Sequence, residues 1–219
     1  HTPRQEVKLD FERWVLKSKD SVGLKFDDVG TYVRTTDIEI AIVGSSEFFK
    51  CKECTQHKCE HDGKAYWLEA PAREEIRKFI ATAKEVYGYR MVNGKKVPNL
   101  VISSGGAQGV DTIAEEEAHE LGVRTHIYYP DVNQWDDGVW DKELGRIEIG
   151  YKTRDLMIAS KCCRLLNFIG AGPKKAKIYK GRTRKVMCKH CNLPHYSSGG
   201  CYTAKKAFWL GKSSETIAV

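Results

Sequence analysis

Six of the eight cysteines in this chain fall in two short runs, CKECTQHKCEH (51–61) and CKHCNLPHYSSGGC (188–201). Each run holds a Cys-x-x-Cys pair, whose spacing lets two thiolates in one tight turn grip one ion. Each then adds a further Cys and a His close by, which completes the four ligands of a tetrahedral site. The candidate ligands are Cys51, Cys54, Cys59 and His61 in the first run, and Cys188, Cys191, His195 and Cys201 in the second. Zinc is the metal such sets favour, and four protein ligands make a closed site that holds loops together rather than activating water. Two arrangements are open: two ions in separate Cys3His sets, which the spacing prefers, or one ion gripped by Cys51, Cys54, Cys188 and Cys191. His57 and His190 are surplus donors. Cys162 and Cys163 open an apolar run and read as small buried residues.

A second chemistry is written in glycine. VISSGGAQGVDT (101–112) runs from an apolar strand through Gly105, Gly106 and Gly109 into a glutamate-rich helix. Such a turn brings backbone N–H groups close to a ligand with no Cβ in the way, and the helix behind it points its positive end there. That geometry favours phosphate or another anion. Asp111, in the first helical turn, is placed to cap the helix or to hydrogen-bond a ribose. IVGSSEFF (42–49) sets Gly44, Ser45 and Ser46 at another strand end, and SSGGCYTAKKA (197–207) sets Gly199 and Gly200 ahead of a helix carrying Thr203. Each turn alone serves equally as a plain strand-to-helix connection. The expectation is that the three loops converge on one edge of a sheet.

The elements that must position them follow from hydrophobic periodicity. IEIAIVG (38–44) is rich in β-branched residues and stops at glycine, as a strand buried on both faces does. Residues 70–88 place Ile76, Phe79, Ile80, Ala83 and Val86 at helical spacing, with Pro71 near the start and Gly88 at the stop. Asn-Gly in 88–98 marks a hairpin or loop. A strand over 99–103, a helix over 110–121 capped by Gly122, and a strand over 123–130 follow. A helix over 150–162, a strand over 163–170, a helix over 203–211 and a strand over 214–219 complete the chain. The alternation βαβαβαβαβ predicts an α/β fold, a Rossmann-like open parallel sheet with flanking helices and right-handed crossovers. Ligands in such sheets sit beyond the carboxyl ends of the strands. Residues 1–37 read as an N-terminal extension, with a helix over Val7–Lys17 and a strand around Val22–Phe26. Residues 38–219 read as one domain with metal-binding inserts at 48–66 and 180–201. Tyr128, Tyr129, Trp135 and Trp140 flank a long loop over 130–145 that suits a base-stacking platform or a hydrophobic lid.

Composition bounds the partners. With 36 Lys+Arg against 29 Asp+Glu the chain carries +7, with basic residues dense from Lys174 to Lys189 and acidic ones dense over 115–148. That asymmetry admits an anionic ligand or nucleic acid, although Tyr179 is the one aromatic in the basic stretch, which reads equally as solvated surface. No run of 18 apolar residues occurs, and the N-terminal segment lacks the apolar centre of a secretory signal. The expectation is no membrane span, a cytoplasmic setting, and thiols free for metal rather than paired as disulfides.

IAIVGSSEF, VISSGGAQGVDTIAEEEAHELGV, GYKTRDLMIASKC and the late Gly-Gly together resemble the SLOG superfamily, which takes in DprA, YpsA-like proteins and LOG-type phosphoribohydrolases, over roughly residues 38–219. The resemblance implies a Rossmann-like domain binding a nucleotide or nucleotide-derived ligand. Gly44, Ser45, Gly105, Gly106, Gly109, Asp111, Arg154, Gly199 and Gly200 stand on matching positions. It also implies that Arg154, in YKTRDLM, meets a phosphate, which a guanidinium clamps bidentately. LOG-type enzymes follow their late glycines with Thr and then Glu, whereas this chain reads GGCYTAKKA, with Lys206 near the expected Glu. A glycosidase needs a carboxylate there, for which Asp111, Asp155 or Glu47 are the substitutes. The function expected is ligand binding as sensor or carrier, with a phosphoribohydrolase and a DprA-like DNA-binding protein as alternatives. Domains of this kind often pair through helices, so a homo-oligomer is also expected.

Overall fold

The computed structural model describes residues 25–26, 32–33, 37–63, 66–129, 139–141, 146–148, 151–171, 177–179, 182–184, 187–188, 190–195 and 199–219. Five strands build the central sheet: β1 (Ile38–Gly44), β2 (Leu100–Ser104), β3 (Arg124–Ile127), β4 (Arg164–Ile169) and β5 (Ser213–Ala218). Their order is β3-β2-β1-β4-β5, and every pairing is parallel. Four helices alternate with them: α1 (Glu69–Tyr87), α2 (Val110–Glu120), α3 (Tyr151–Lys161) and α4 (Gly199–Trp209). This is the doubly wound α/β arrangement that the alternation predicts. Its order reverses between β1 and β4, opening a crevice at their carboxyl ends.

Side chains alternate across the sheet with period two. Ile38, Ile40 and Ile42 of β1 enter the larger core, with Ile76, Phe79 and Ile80 of α1 and Ile113 and Ala114 of α2. Ala41 and Val43 face the other way, into a smaller core with Ile158 and Ala159 of α3 and Ala204 and Ala207 of α4. One helix pair therefore covers each face. Small residues on the second face let α3 and α4 come close to the sheet.

Three of the four glutamates of α2 are bound to α1. Arg73 donates to Glu117 Oε1 at 2.7 Å and Glu116 Oε2 at 2.5 Å, and Arg77 to Glu117 Oε2 at 2.6 Å and Glu120 Oε2 at 2.5 Å. Glu117 is buried, so both of its oxygens needed charged donors. Two short extended pieces, Tyr89–Val92 and Lys95–Pro98, pair through a turn in which Asn93 and Gly94 have φ of 49° and 74°. This is the hairpin that Asn-Gly signals.

One boundary differs from expectation. Helix α4 begins at Gly199, not Thr203, so the glycine pair forms its first turn rather than a loop ahead of it. A Cβ on Gly200 would collide with Asn167 Oδ1 and stand 2.8 Å from Gly44 Cα, so glycine there draws the helix start onto the ends of β1 and β4. The expected helix over Val7–Lys17, Trp135 and most of the basic stretch 174–189 lie outside the described residues. Among the described residues, no helix is long and apolar enough to cross a membrane.

Candidate ligand cavity and metal centres

A cavity of about 160 Å³ opens at the carboxyl ends of β1 and β4. Gly44 and Ser46 come to it from the end of β1, and Ala107 and Asp111 from the turn into α2. Arg154 and Asp155 reach it from α3, and Gly199, Gly200 and Thr203 from α4. Four chain segments far apart in sequence thus meet at the reversal point of the sheet.

The polar centre of the cavity is a guanidinium between two carboxylates. Arg154 donates Nη1–H to Gly105 O at 2.8 Å and Nη2–H to Asp155 Oδ1 at 2.8 Å, with Nε–H at 3.1 Å from the same oxygen. Asp111 is buried, and its Oδ2 accepts the N–H of Gly105 at 2.9 Å and of Ala107 at 3.4 Å. Burial pushes the Asp111 carboxyl up to about 7, against the pull of those amides and of Arg154. Asp155 is also raised by burial, with Arg154 opposing. The glycine turn thus already spends its Gly105 and Ala107 amides on the protein's own carboxylate, and its Gly106 amide on Ser104 Oγ at 3.2 Å. At the start of α2, Val110 N–H donates to Ser45 O at 3.2 Å and no side chain caps the helix, whereas at Gly199 an added Cβ would meet no atom of the described residues within 4 Å.

The remaining glycine-turn residues stand behind the wall. Ser45 is buried; its N–H donates to Phe168 O at 2.9 Å and its carbonyl accepts Val110 N–H at 3.2 Å. A Cβ on Gly109, at φ 92°, would stand 2.4 Å from Ser45 O and 2.8 Å from Ser46 Cα, and one on Gly106, at φ 63°, would press on Ile127 and Tyr129. Both are left-handed positions that a side chain would strain. Tyr128 is buried with its hydroxyl on Glu39 Oε1 at 2.8 Å, which removes it from any stacking platform, while Tyr129 is exposed. Of the substitute carboxylates, Asp111 and Asp155 reach the cavity and Glu47 does not. Lys206 also lies outside it, on the outer side of α4. Sequence reasoning missed Ala107, and it missed Asn167, a buried polar residue in an apolar strand, which is itself the available signal.

The cysteine runs form two separate four-ligand groups, Cys51/Cys54/Cys59/His61 and Cys188/Cys191/His195/Cys201, each with its donor atoms within 4.8 Å of one another. The single set of Cys51, Cys54, Cys188 and Cys191 is not the grouping the fold makes. In the first, Cys51 Sγ lies 3.4 Å from Cys54 Sγ, 3.1 Å from Cys59 Sγ and 3.4 Å from His61 Nδ1. In the second, His195 Nε2 lies 3.2 Å from Cys191 Sγ and 3.3 Å from Cys201 Sγ, and the two sulfurs are 3.6 Å apart. Ligands about 2.0–2.3 Å from a tetrahedral ion stand roughly 3.5–3.8 Å from each other, so both groups are sized for one metal ion. All eight cysteines are free thiols. The Cys59 thiol donates to Cys51 and pulls it down to about 6, toward the thiolate that a metal takes. Cys162 is buried, and burial raises its thiol, in keeping with a packing role.

The second group touches the cavity wall. Cys201 follows Gly200 in the first turn of α4, and Asn167 Nδ2 of β4 donates to Cys201 Sγ at 3.0 Å and Thr216 Oγ1 at 3.1 Å. Asn192, at φ 58°, closes the turn in which its N–H bonds Cys188 O at 2.8 Å. The first group is carried by a small sheet of Phe48–Phe49, Tyr66–Leu68 and Lys58–Cys59, anchored where Phe48 and Trp67 join the larger core.

No family model and no curated protein sequence matches the chain. Among solved structures it is similar to DNA processing protein A (DprA) from Streptococcus pneumoniae, at 17% identity and a TM-score of 0.42, over 83% of this chain and 50% of that one. The chain thus spans half the length of that protein.

Proposed function

We propose that this chain is a SLOG-like domain that binds a nucleotide or nucleotide-derived ligand at the β1/β4 crevice, with a zinc ion in each Cys3His group holding the surrounding loops. The observation that carries the reading is the cavity built jointly by Gly44, Ser46, Asp111, Arg154, Gly199 and Gly200 at the reversal point of a parallel sheet. The N-terminus of α4 and the Arg154 guanidinium favour a phosphate; Asp111 and Asp155 are acceptors for sugar hydroxyls. At about 160 Å³ the cavity is smaller than the roughly 300 Å³ or more of common small-molecule sites, so it takes a sugar–phosphate end and leaves a base at the mouth. Calorimetric titration with a nucleoside monophosphate, its nucleoside and ribose 5-phosphate tests this. Binding of the two phosphorylated compounds, at least tenfold tighter than the nucleoside, is expected; equal or absent binding of all three removes the reading.

Asp111 favours a second reading, cleavage of the N-glycosidic bond. A buried carboxyl with its proton held to about 7, beside an arginine, is poised for acid–base work near neutrality. Release of free base from nucleoside monophosphates, abolished in Asp111→Asn, is the expected result; its absence leaves a binding protein. Metal analysis is expected to find two zinc ions per chain.

A further inference from the structure

The two Cys3His groups meet solvent differently. A second cavity, of about 390 Å³, opens at the first group, and its wall includes Cys51, Cys59 and His61 with the exposed Lys50 and Lys52 beside them. Cys54 is not part of that wall. Cys51 is the hub of the group, with its Sγ 3.1 Å from Cys59 Sγ and 3.4 Å from Cys54 Sγ. Two sulfurs in contact therefore share one opening, large enough to admit a small oxidant. In the second group Cys188 and Cys201 are buried and pack with Ile169, His195 is buried as well, and Cys191 is half-buried. The first insert is also held to the domain by more than its ligands. Phe48 and Trp67 sit in the larger core, Trp67 N–H donates to Glu47 O at 2.9 Å, and Leu68 N–H donates to His57 O at 2.8 Å.

We propose that the first centre is a site of reversible oxidation by hydroperoxides, at which Cys51 and Cys59 form a disulfide and zinc is released, while the second centre keeps its ion. The inference rests on the reading that each group holds zinc. Thiolate character and exposure decide which cysteines are oxidised, and a second sulfur close by diverts the product to a disulfide. Ligation supplies the thiolate in both centres, neighbouring lysines favour it in the first, and access separates the two. The Cys51 thiolate attacks one oxygen of the peroxide; the S–O bond forms, the O–O bond breaks and hydroxide leaves. The Cys59 thiolate then attacks the Cys51 sulfur, the S–S bond forms and the S–O bond breaks, releasing a second hydroxide. Two thiolates have lost two electrons to one peroxide, and both hydroxides take protons from water. Cys54 and His61 remain, two donors where zinc takes four. Because Phe48 and Trp67 stay in the core, the emptied insert remains attached, and a dithiol that reduces the disulfide by exchange restores the ligand set.

The experiment treats the intact chain, its zinc counted beforehand, with hydrogen peroxide and follows release with a chromogenic zinc indicator. One ion per chain is expected to leave roughly tenfold faster than the other, or more. Mass mapping after alkylation should find Cys51 joined to Cys59 at the end of the fast phase, with Cys54, Cys188, Cys191 and Cys201 still alkylated. Dithiothreitol followed by added zinc should return the count to two. Circular dichroism before and after the fast phase should agree, since the core is untouched. Cys51→Ser should show no fast phase, which assigns that phase to the first centre. Release of both ions at one rate, a linkage within the Cys188/Cys191/Cys201 set, a Cys51–Cys54 linkage, or loss that dithiothreitol does not reverse would each overturn the proposal. A chain that purifies without zinc would remove the zinc reading itself, and this inference with it.

Discussion

The two Cys3His groups have the same ligand types and opposite surroundings. In the first, His61 is exposed and Cys51 and Cys54 are half-buried on a short insert. In the second, Cys188, His195 and Cys201 are all buried, and Cys201 belongs to the helix whose first turn lines the cavity. Identical donor sets can thus serve different ends. An ion in the first would fix a peripheral loop, whereas an ion in the second would fix where α4 begins, and with it one wall of the crevice. Metal binding energy becomes folding energy only for the segment the ligands tie down, and those segments differ.

The strongest way to break the comparison is to remove one sulfur from each group. Cys201→Ser is expected to empty the second site, to destabilise the fold by more than about 3 kcal/mol and to abolish ligand binding at the crevice. Cys51→Ser is expected to cost about 1 kcal/mol, to free one zinc and to leave crevice binding intact. Thermal unfolding and zinc counting on both variants measure this; equal effects would mean that the two centres are equivalent scaffolds.

Acid separates the metal centres from the cavity by the sign of its effect. Falling pH protonates thiolates and histidines and releases metal, which destabilises the fold. Asp111 acts the other way. Folded, it holds its proton to about 7 rather than to 3.8, so between about pH 4 and pH 7 the folded chain binds more protons than the unfolded one. Stability from this group is present at low pH, falls as pH rises through that window and is gone above it. Asp111→Asn should therefore raise stability near pH 7.5 by up to a few kcal/mol and flatten the slope between pH 5 and pH 7, measured by denaturant unfolding. An unchanged slope would show that Asp111 is ionised throughout.

Much of this was legible in the sequence. Strand runs that stop at glycine, helices with clean apolar stripes and Cys-x-x-Cys spacing are local signals, and each produced its element or ligand group close to where it was read. What was not legible depended on approach between distant segments. The glycines of GGAQG suggest amides open to an anion, yet the Gly105 and Ala107 amides close on Asp111, because a carboxylate six residues on folds back over the turn. Gly200 suggests a ligand loop, yet its missing Cβ makes room for Gly44 and Asn167. Gly200→Ala distinguishes these roles. Because backbone and a buried amide block the added methyl, it is expected to cost about 1–3 kcal/mol even without ligand, whereas Gly199→Ala, whose methyl meets no atom of the described residues within 4 Å, should leave stability within about 0.5 kcal/mol.

The finest difference between the two centres lies in Asn167. Its Nδ2 bonds Cys201 Sγ, while its Oδ1 is buried with no hydrogen-bond partner among the described residues. Hydrogen bonds donated to a ligating thiolate disperse its charge and orient it, and losing such an outer partner commonly costs 10–100-fold in metal affinity. Asn167→Leu keeps the volume, removes the donor and removes the orphaned oxygen, so its fold should remain near wild-type stability while the second zinc loosens by that factor. Competition with a chromogenic chelator should then show the two ions leaving at more similar chelator concentrations than in the wild type. If the second ion is held as tightly as before, Asn167 serves only to pack β4 against β5, and the coupling of that metal to the crevice runs through Cys201 alone.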